Sequence, residues 1–168
     1  IASEWATIGR AYLMTILVTV IGTALSLVIT STFAFAVSND KLPGHKILMF
    51  LCIFTMLFNG GLVASYYVYS NIFHIKNTIW ALIVPTFLMS PFNVVLVKNY
   101  FSNSISPSIL EAARMDGAGV FAVFTKIVMP LSVPIMATVG LMTAIGYWND
   151  WTNGLYYLTE NGGAQYYT

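Results

Sequence analysis

The residues best suited to chemistry in this chain do not form a reaction centre. Glu111-Ala112-Ala113-Arg114-Met115-Asp116-Gly117, followed ten residues later by Ile127-Val128-Met129-Pro130, is a polar, helix-forming island between two long apolar segments. Its chemistry is that of a contact. The alanines leave a shallow helix face, suited to lying in a groove on another protein. No nucleophile–base pair is present elsewhere, and the two histidines, His45 and His74, fall in separate loops on opposite sides and cannot share a metal. The lone Cys52 sits inside an apolar run, so it reads as a small packing residue and no disulfide framework exists.

The elements that must position the island can be read locally. Ser106 is an N-cap with Pro107 at the first helical position, where a missing N–H costs nothing. Ser108 and Glu111 have the spacing of a capping box one register later. The helix then reaches Gly117 and Gly119, which supply a left-handed stop. Ile109, Ala112, Ala113 and Asp116 share one face by helical spacing. Val120, Val123, Phe124 and Ile127 repeat the pattern in a second short helix before Pro130.

Around the island the chain is built for lipid. It is 58% hydrophobic and 8% charged, where about 25% charged is usual for a soluble domain. No Asp, Glu, Lys or Arg occurs in 11–39, 47–75, 77–97 or 127–149. Each window supplies the ~20 apolar residues a membrane-crossing helix needs. The expected spans are about 11–36, 47–70, 79–97 and 127–148 of a single domain covering 1–168, with loop 98–126 outside the bilayer. Lys41 and Lys46 lie in loop 37–46, and Lys98, Arg114 and Lys126 in loop 98–126, against Arg10 and Lys76 on the other side. The positive-inside rule therefore places those two loops in the cytoplasm and both ends of the chain outside.

Polar residues within the windows have two readings each. Thr19, Thr23, Ser26, Thr30, Ser31 and Thr32, interleaved with Gly22 and Ala24, form a face either for close helix–helix packing or for a substrate role. Asn59-Gly60-Gly61 interrupts the second window, as a packing point or as part of a polar path. Pro85 and Pro91 bend the third, and Asn93 offers amide hydrogen bonds below the bend. Tyr66, Tyr67 and Tyr69 suit an aromatic belt at the interface. Tyr147, Trp148 and Trp151 suit interfacial anchors, Asn149 and Asp150 beside them are placed to meet a polar substrate at the outer mouth, and Asn59, Asn93, Trp148 and Asn149 are the expected lining of a polar path. The chain begins at Ile1 and closes in the polar run Glu160–Gln165, which reads as the middle of a longer polypeptide.

The order E-A-A, three residues, G, nine residues, I-x-(L)-P resembles the cytoplasmic signature loop of ABC-importer permease subunits. Glu111, Ala112, Ala113, Gly117, Ile127 and Pro130 all fall on it, and Met129 stands where Leu is usual. Asn59-Gly60-Gly61-Leu62, Asn77-Thr78-Ile79-Trp80-Ala81-Leu82, Arg114-Met115-Asp116-Gly117-Ala118 and Trp148-Asn149-Asp150-Trp151 are similar to the carbohydrate-uptake branch, including the maltose-system inner subunit and polysaccharide permeases.

The resemblance implies an all-α polytopic bundle, the type I ABC importer permease core, of which this chain would be spans two to five of six. It implies that the island is a coupling helix. Glu111 would meet polar or basic groups of a cytoplasmic ATPase, Ala112 and Ala113 would allow close approach, Asp116 would belong to the same contact, and Gly117 would make the turn. Partners implied are an ABC ATPase dimer that binds ATP–Mg, a second permease subunit (a different chain or a copy of this one), and an extracytoplasmic solute-binding protein, in the bacterial plasma membrane. The substrate implied is a sugar or oligosaccharide, with a non-sugar solute as the alternative. The chain carries no G-x-x-x-x-G-K-[ST] phosphate loop, so no ATP site or other cofactor of its own is expected, and no nucleic acid. A secondary transporter would keep buried ionisable groups for ion coupling, and none lies well inside a window. A non-transporting scaffold would not need Asn59, Asn93 or a grooved handle, and an intramembrane enzyme lacks catalytic groups.

Overall fold

The structure is a computed structural model and describes residues 2–159; the run Glu160–Gln165 lies outside the described residues. Among the described residues every regular element is helical. In chain order these are α1 (Ala2–Ser38), α2 (His45–Leu57), α3 (Gly61–Tyr67) with a π-helical continuation Val68–Ile72, α4 (Trp80–Ile83), α5 (Pro91–Ser104) and α6 (Pro107–Met115). There follow α7 (Val120–Val123), a π-helical segment Phe124–Val128, α8 (Met129–Leu131), α9 (Val133–Trp148) and α10 (Thr152–Tyr157). By length and apolarity α1, from Trp5 to Ser38, suffices to cross a membrane. Two bent pairs reach that length together: α2 with Gly61–Ile72, bent by 118°, and Val120–Leu131 with α9, bent by 78°.

The helix expected over 79–97 does not form as one piece. After the single turn of α4 the backbone bends through 84–90 and resumes as α5, which runs on to Ser104. Pro85 and Pro91 are the cause, because each lacks the N–H a continuous helix requires and its ring crowds the preceding turn. The windows 47–70 and 127–148 are likewise divided, at Asn59-Gly60 and at Ser132. At the first break Gly61 takes a φ of +78° and donates its N–H to Asn59 Oδ1 at 3.0 Å, a local turn that only glycine adopts without strain.

The described residues form two compact units. The first comprises the chain up to Ser26, Asn59–Leu88 and the residues from Leu141. Its core gathers Val18, Leu82, Ile83 and Tyr147, with Phe87 packed against them. The bend after α4 strands carbonyls that helix geometry would have satisfied, and other elements supply the donors. Tyr147 Oη donates to the Ile83 carbonyl at 2.8 Å, and Ser26 Oγ donates to the Phe87 carbonyl at 3.0 Å. Leaving such groups unpaired would cost about 1–3 kcal/mol each. Farther along, Asn77, at φ +59°, receives at Oδ1 the N–H of Thr159 at 2.8 Å, while its own N–H donates to the Tyr157 carbonyl at 3.0 Å. Tyr66 and Tyr69, expected as an interface belt, both lie against the ring of buried Tyr157, whereas Tyr67 is exposed.

The second unit comprises Leu27–Phe58 and Met89–Gly140. Its core joins Ala34, Cys52, Val94, Val97, Phe101, Val128 and Val139. Cys52 is a packing residue here, its thiol 4.0 Å from the Pro91 carbonyl. The hydroxylated face of α1 is buried at Ser26, Thr30 and Ser31, while Thr32 is exposed and returns its hydroxyl to the Val28 carbonyl at 2.7 Å. Lys41, Lys46, Lys98, Arg114 and Lys126 all belong to this unit, and Arg10 and Lys76 to the first.

Candidate functional site

α6 starts as its residues predict, with Ser106 in extended geometry and Pro107 next. The capping box does not form: Ser106 and Ser108 pair their hydroxyls at 2.7 Å, and Ser108 lies within the helix. The end of α6 follows the glycine-terminated pattern closely. Gly117, at φ +80°, donates its N–H to the Arg114 carbonyl, and Ala118 donates to the Ala113 carbonyl, both at 3.0 Å. These two bonds satisfy orphan carbonyls of the last turn and fix the exit direction of the chain. Gly119 stays at negative φ and begins α7 instead, so the stop is supplied by Gly117 alone.

Neighbouring helical positions point about 100° apart, and this divides the two alanines. Ala113 is buried in the core of the second unit, whereas Ala112 is exposed. The outward face of α6 therefore consists of Ile109, Ala112, Met115 and Asp116, with Glu111 at its edge, and all five are exposed. Met115, 88% exposed, belongs to this face although the sequence reading omitted it. Its signal was available, since 112, 115 and 116 follow helical spacing. Val120 and Phe121 extend the exposed apolar surface beyond the turn. An exposed apolar helix face rimmed by Glu111 and Asp116 is of the kind that marks interaction surfaces. Among the described residues no group of three His, Cys, Asp or Glu side chains is placed to hold a metal ion.

Of the four residues expected along a polar path, three fall in the first unit and one in the second. Asn93 is buried in α5 of the second unit. Asn59, Trp148 and Asn149 belong to the first unit and are exposed, and Asn149 Nδ2 donates to the Ile145 carbonyl of its own helix at 3.0 Å. The first unit does contain a cavity of about 420 Å³ one step away, lined by Thr15, Val18, Leu82, Tyr147, Asp150 and Trp151 among others. Asp150 Oδ1 accepts the N–H groups of Thr152 (3.1 Å) and Asn153 (3.2 Å), holding the start of α10. Burial nevertheless outweighs these hydrogen bonds and raises the Asp150 carboxyl above its ordinary value.

The helical architecture has counterparts among known membrane proteins. A crystal structure of a bacterial ABC transporter involved in the import of the acidic polysaccharide alginate matches with a TM-score of 0.87 at 31% identity, over 95% of this chain and 56% of that one. The fold is that of the type I ABC importer permeases. Residues 23–168 match the family described as binding-protein-dependent transport system inner membrane component, and the chain belongs to that family. It is 40% identical over 154 residues to the polygalacturonan/rhamnogalacturonan transport system permease protein YtcP of Bacillus subtilis (strain 168), covering 92% of this chain and 53% of that protein. It is 37% identical over 152 residues to Protein LplC of the same organism, covering 90% and 50%. The chain thus spans about half the length of these curated relatives.

Proposed function

We propose that this chain is part of the multi-pass, membrane-spanning permease subunit of an ATP-driven ABC importer for a sugar or oligosaccharide, and that α6 is its coupling helix. The observation that carries the reading is the outward face of α6, with Glu111, Ala112, Met115 and Asp116 exposed and Gly117 fixing the turn behind them. A partner ATPase dimer binds ATP–Mg and receives this face in a groove. Ala112 permits close approach, Glu111 and Asp116 meet polar or basic groups, and Ala113 anchors the helix to the permease body so that movement of the ATPase is transmitted. Coupling requires a contact that differs between states, which a rigidly anchored helix provides. The five basic residues of the second unit support a cytoplasmic position for loops 37–46 and 98–126.

A second permease subunit completes the path, and an extracytoplasmic solute-binding protein delivers substrate. Asn59, Asn93, Trp148 and Asn149 remain the proposed polar lining, to which the cavity adds Asp150 and Trp151. The carbohydrate class is supported by similarity to the alginate importer and to the polygalacturonan/rhamnogalacturonan permease protein YtcP, and ATP hydrolysis is assigned wholly to the partner.

The complete transporter, extracted in mild detergent, should copurify with an ATPase. Glu111→Lys and Gly117→Pro should leave ATP hydrolysis measurable while uptake in proteoliposomes falls at least about tenfold. Failure to copurify overturns the transporter reading, and normal uptake by both variants overturns the coupling role of α6.

A further inference from the structure

The inner face of α6 closes a second cavity, of about 260 Å³, that the proposed ATPase contact leaves unused. Its apolar lining comes from Phe35 at the end of α1, Phe101 and Ile105 at the end of α5, and Leu110 of α6. Two cations, Lys41 and Arg114, stand on the same cavity. Neither has a carboxylate partner: the ion pair found among the described residues is His45 Nε2 with Asp40 Oδ1, at 3.6 Å. Asp40 also borders the cavity, but its side chain is 96% exposed and its Oδ1 is the atom nearest His45.

We infer that this cavity binds an anionic phospholipid, with the phosphate held by Lys41 and Arg114 and the first acyl carbons lying on Phe35, Phe101, Ile105 and Leu110. The ligand chemistry is a phosphate joined to an apolar chain. A free phosphate would satisfy the two cations but leave the apolar lining uncovered, and a zwitterionic lipid would bring its own cation toward Lys41 and Arg114. Position along the chain supports the choice. Phe35 and Ser38 close one charge-free window and Lys41 follows it, while Phe101 comes just after Lys98 ends another. Apolar residues giving way to basic ones mark the level of lipid headgroups, where anionic lipids are drawn to Lys and Arg. The inference rests on the inner-membrane family and on the second unit, not on the ATPase contact.

The test uses the full-length protein in its assembled complex, purified in mild detergent and titrated with phosphatidylglycerol, with phosphatidylcholine of identical chains, and with inorganic phosphate, retained lipid being read by native mass spectrometry. Phosphatidylglycerol should be retained preferentially and should resist displacement by inorganic phosphate. The double variant Lys41→Gln/Arg114→Gln should weaken its retention by about thirtyfold. The charge-matched control Lys98→Gln/Lys126→Gln, on residues that do not line the cavity, should retain it as the parent does. Equal retention of the two lipids, ready displacement by phosphate, or equal weakening in both double variants would each overturn the inference. A Leu110→Ser variant, expected to reduce retention with both cations kept, separates lipid binding from simple charge attraction; unchanged retention there counts against an acyl contact.

Discussion

Gly22 lies so close to the ring of Tyr147 that a Cβ built on the glycine would fall 2.6 Å from Cζ. The contact positions the phenol whose hydroxyl satisfies the Ile83 carbonyl at the broken helix. One small residue on α1 therefore secures a hydrogen bond on which the bend after α4 depends.

Gly22→Ala should lower stability by about 1–3 kcal/mol, the usual cost of overpacking a filled core. Tyr147→Phe keeps the packing and removes the donor, so its cost should be about 1–3 kcal/mol from the stranded carbonyl. Unfolding of the detergent-solubilised protein, followed by near-UV circular dichroism, measures both. A parent-like Gly22→Ala would show that the ring shifts freely.

Asp150 gives a pH dependence with a definite sign. Its folded-state carboxyl is raised above its ordinary value because burial disfavours the charge. The neutral form is thus favoured in the fold, and that contribution is complete below the ordinary range and lost as pH rises through the raised value. Asp150→Asn keeps an acceptor for the Thr152 and Asn153 N–H groups and cannot ionise. Its stability relative to the parent should therefore rise over that window. Asp150→Ala loses the acceptor and should be less stable than the Asn variant by about 1 kcal/mol at every pH. Parallel melting curves for the parent and the Asn variant across pH 3–7, a window set by ordinary carboxylate values, would refute the raised carboxyl.

Asn77 ties the segment after α10 to the loop before α4. Asn77→Ala removes the acceptor used by Thr159 and places an alanine at positive φ, where Asn is tolerated better. Asn77→Gly removes the acceptor but fits the backbone, so it should be less damaging than Ala by about 1 kcal/mol. Faster amide exchange at Thr159 is expected in both variants. Unchanged exchange would show that the clasp is not closed in solution.

Much of this was legible from residue types. Charge-free windows marked the apolar elements, and Ser106-Pro107 and Gly117 bounded α6. Three features were not legible. Pro85 and Pro91 announced a bend in 79–97, but residue types alone did not tell that it would be a full break, with α4 ending at Ile83 and α5 starting at Pro91. Which of two adjacent alanines faces inward depends on what packs against the helix, so Ala112 and Ala113 were grouped until the core of the second unit separated them. Asp150 was legible as a polar residue placed to meet substrate, but not the cavity it lines with Trp151, whose walls come from α1, α4, α9 and α10, some of them distant in sequence. Trp148 and Asn149, only a turn away, seemed equally suited because spacing alone does not tell which side of α9 is open.

The π-helical segment Phe124–Val128 turns a spacing in sequence into an angle in space. The N–H of Met129 reaches back five residues to the Phe124 carbonyl, and the buried positions Val123 and Val128 are correspondingly five apart. One residue is accommodated without advancing the helix by its usual turn, just before Pro130 withdraws a donor. Deleting a single residue there would restore ordinary helix and swing everything downstream by about 100°. The nine residues between Gly117 and Ile127 thus act as a phase setting, and a protein that lengthened or shortened them would still possess both halves of the joint, aimed in different directions.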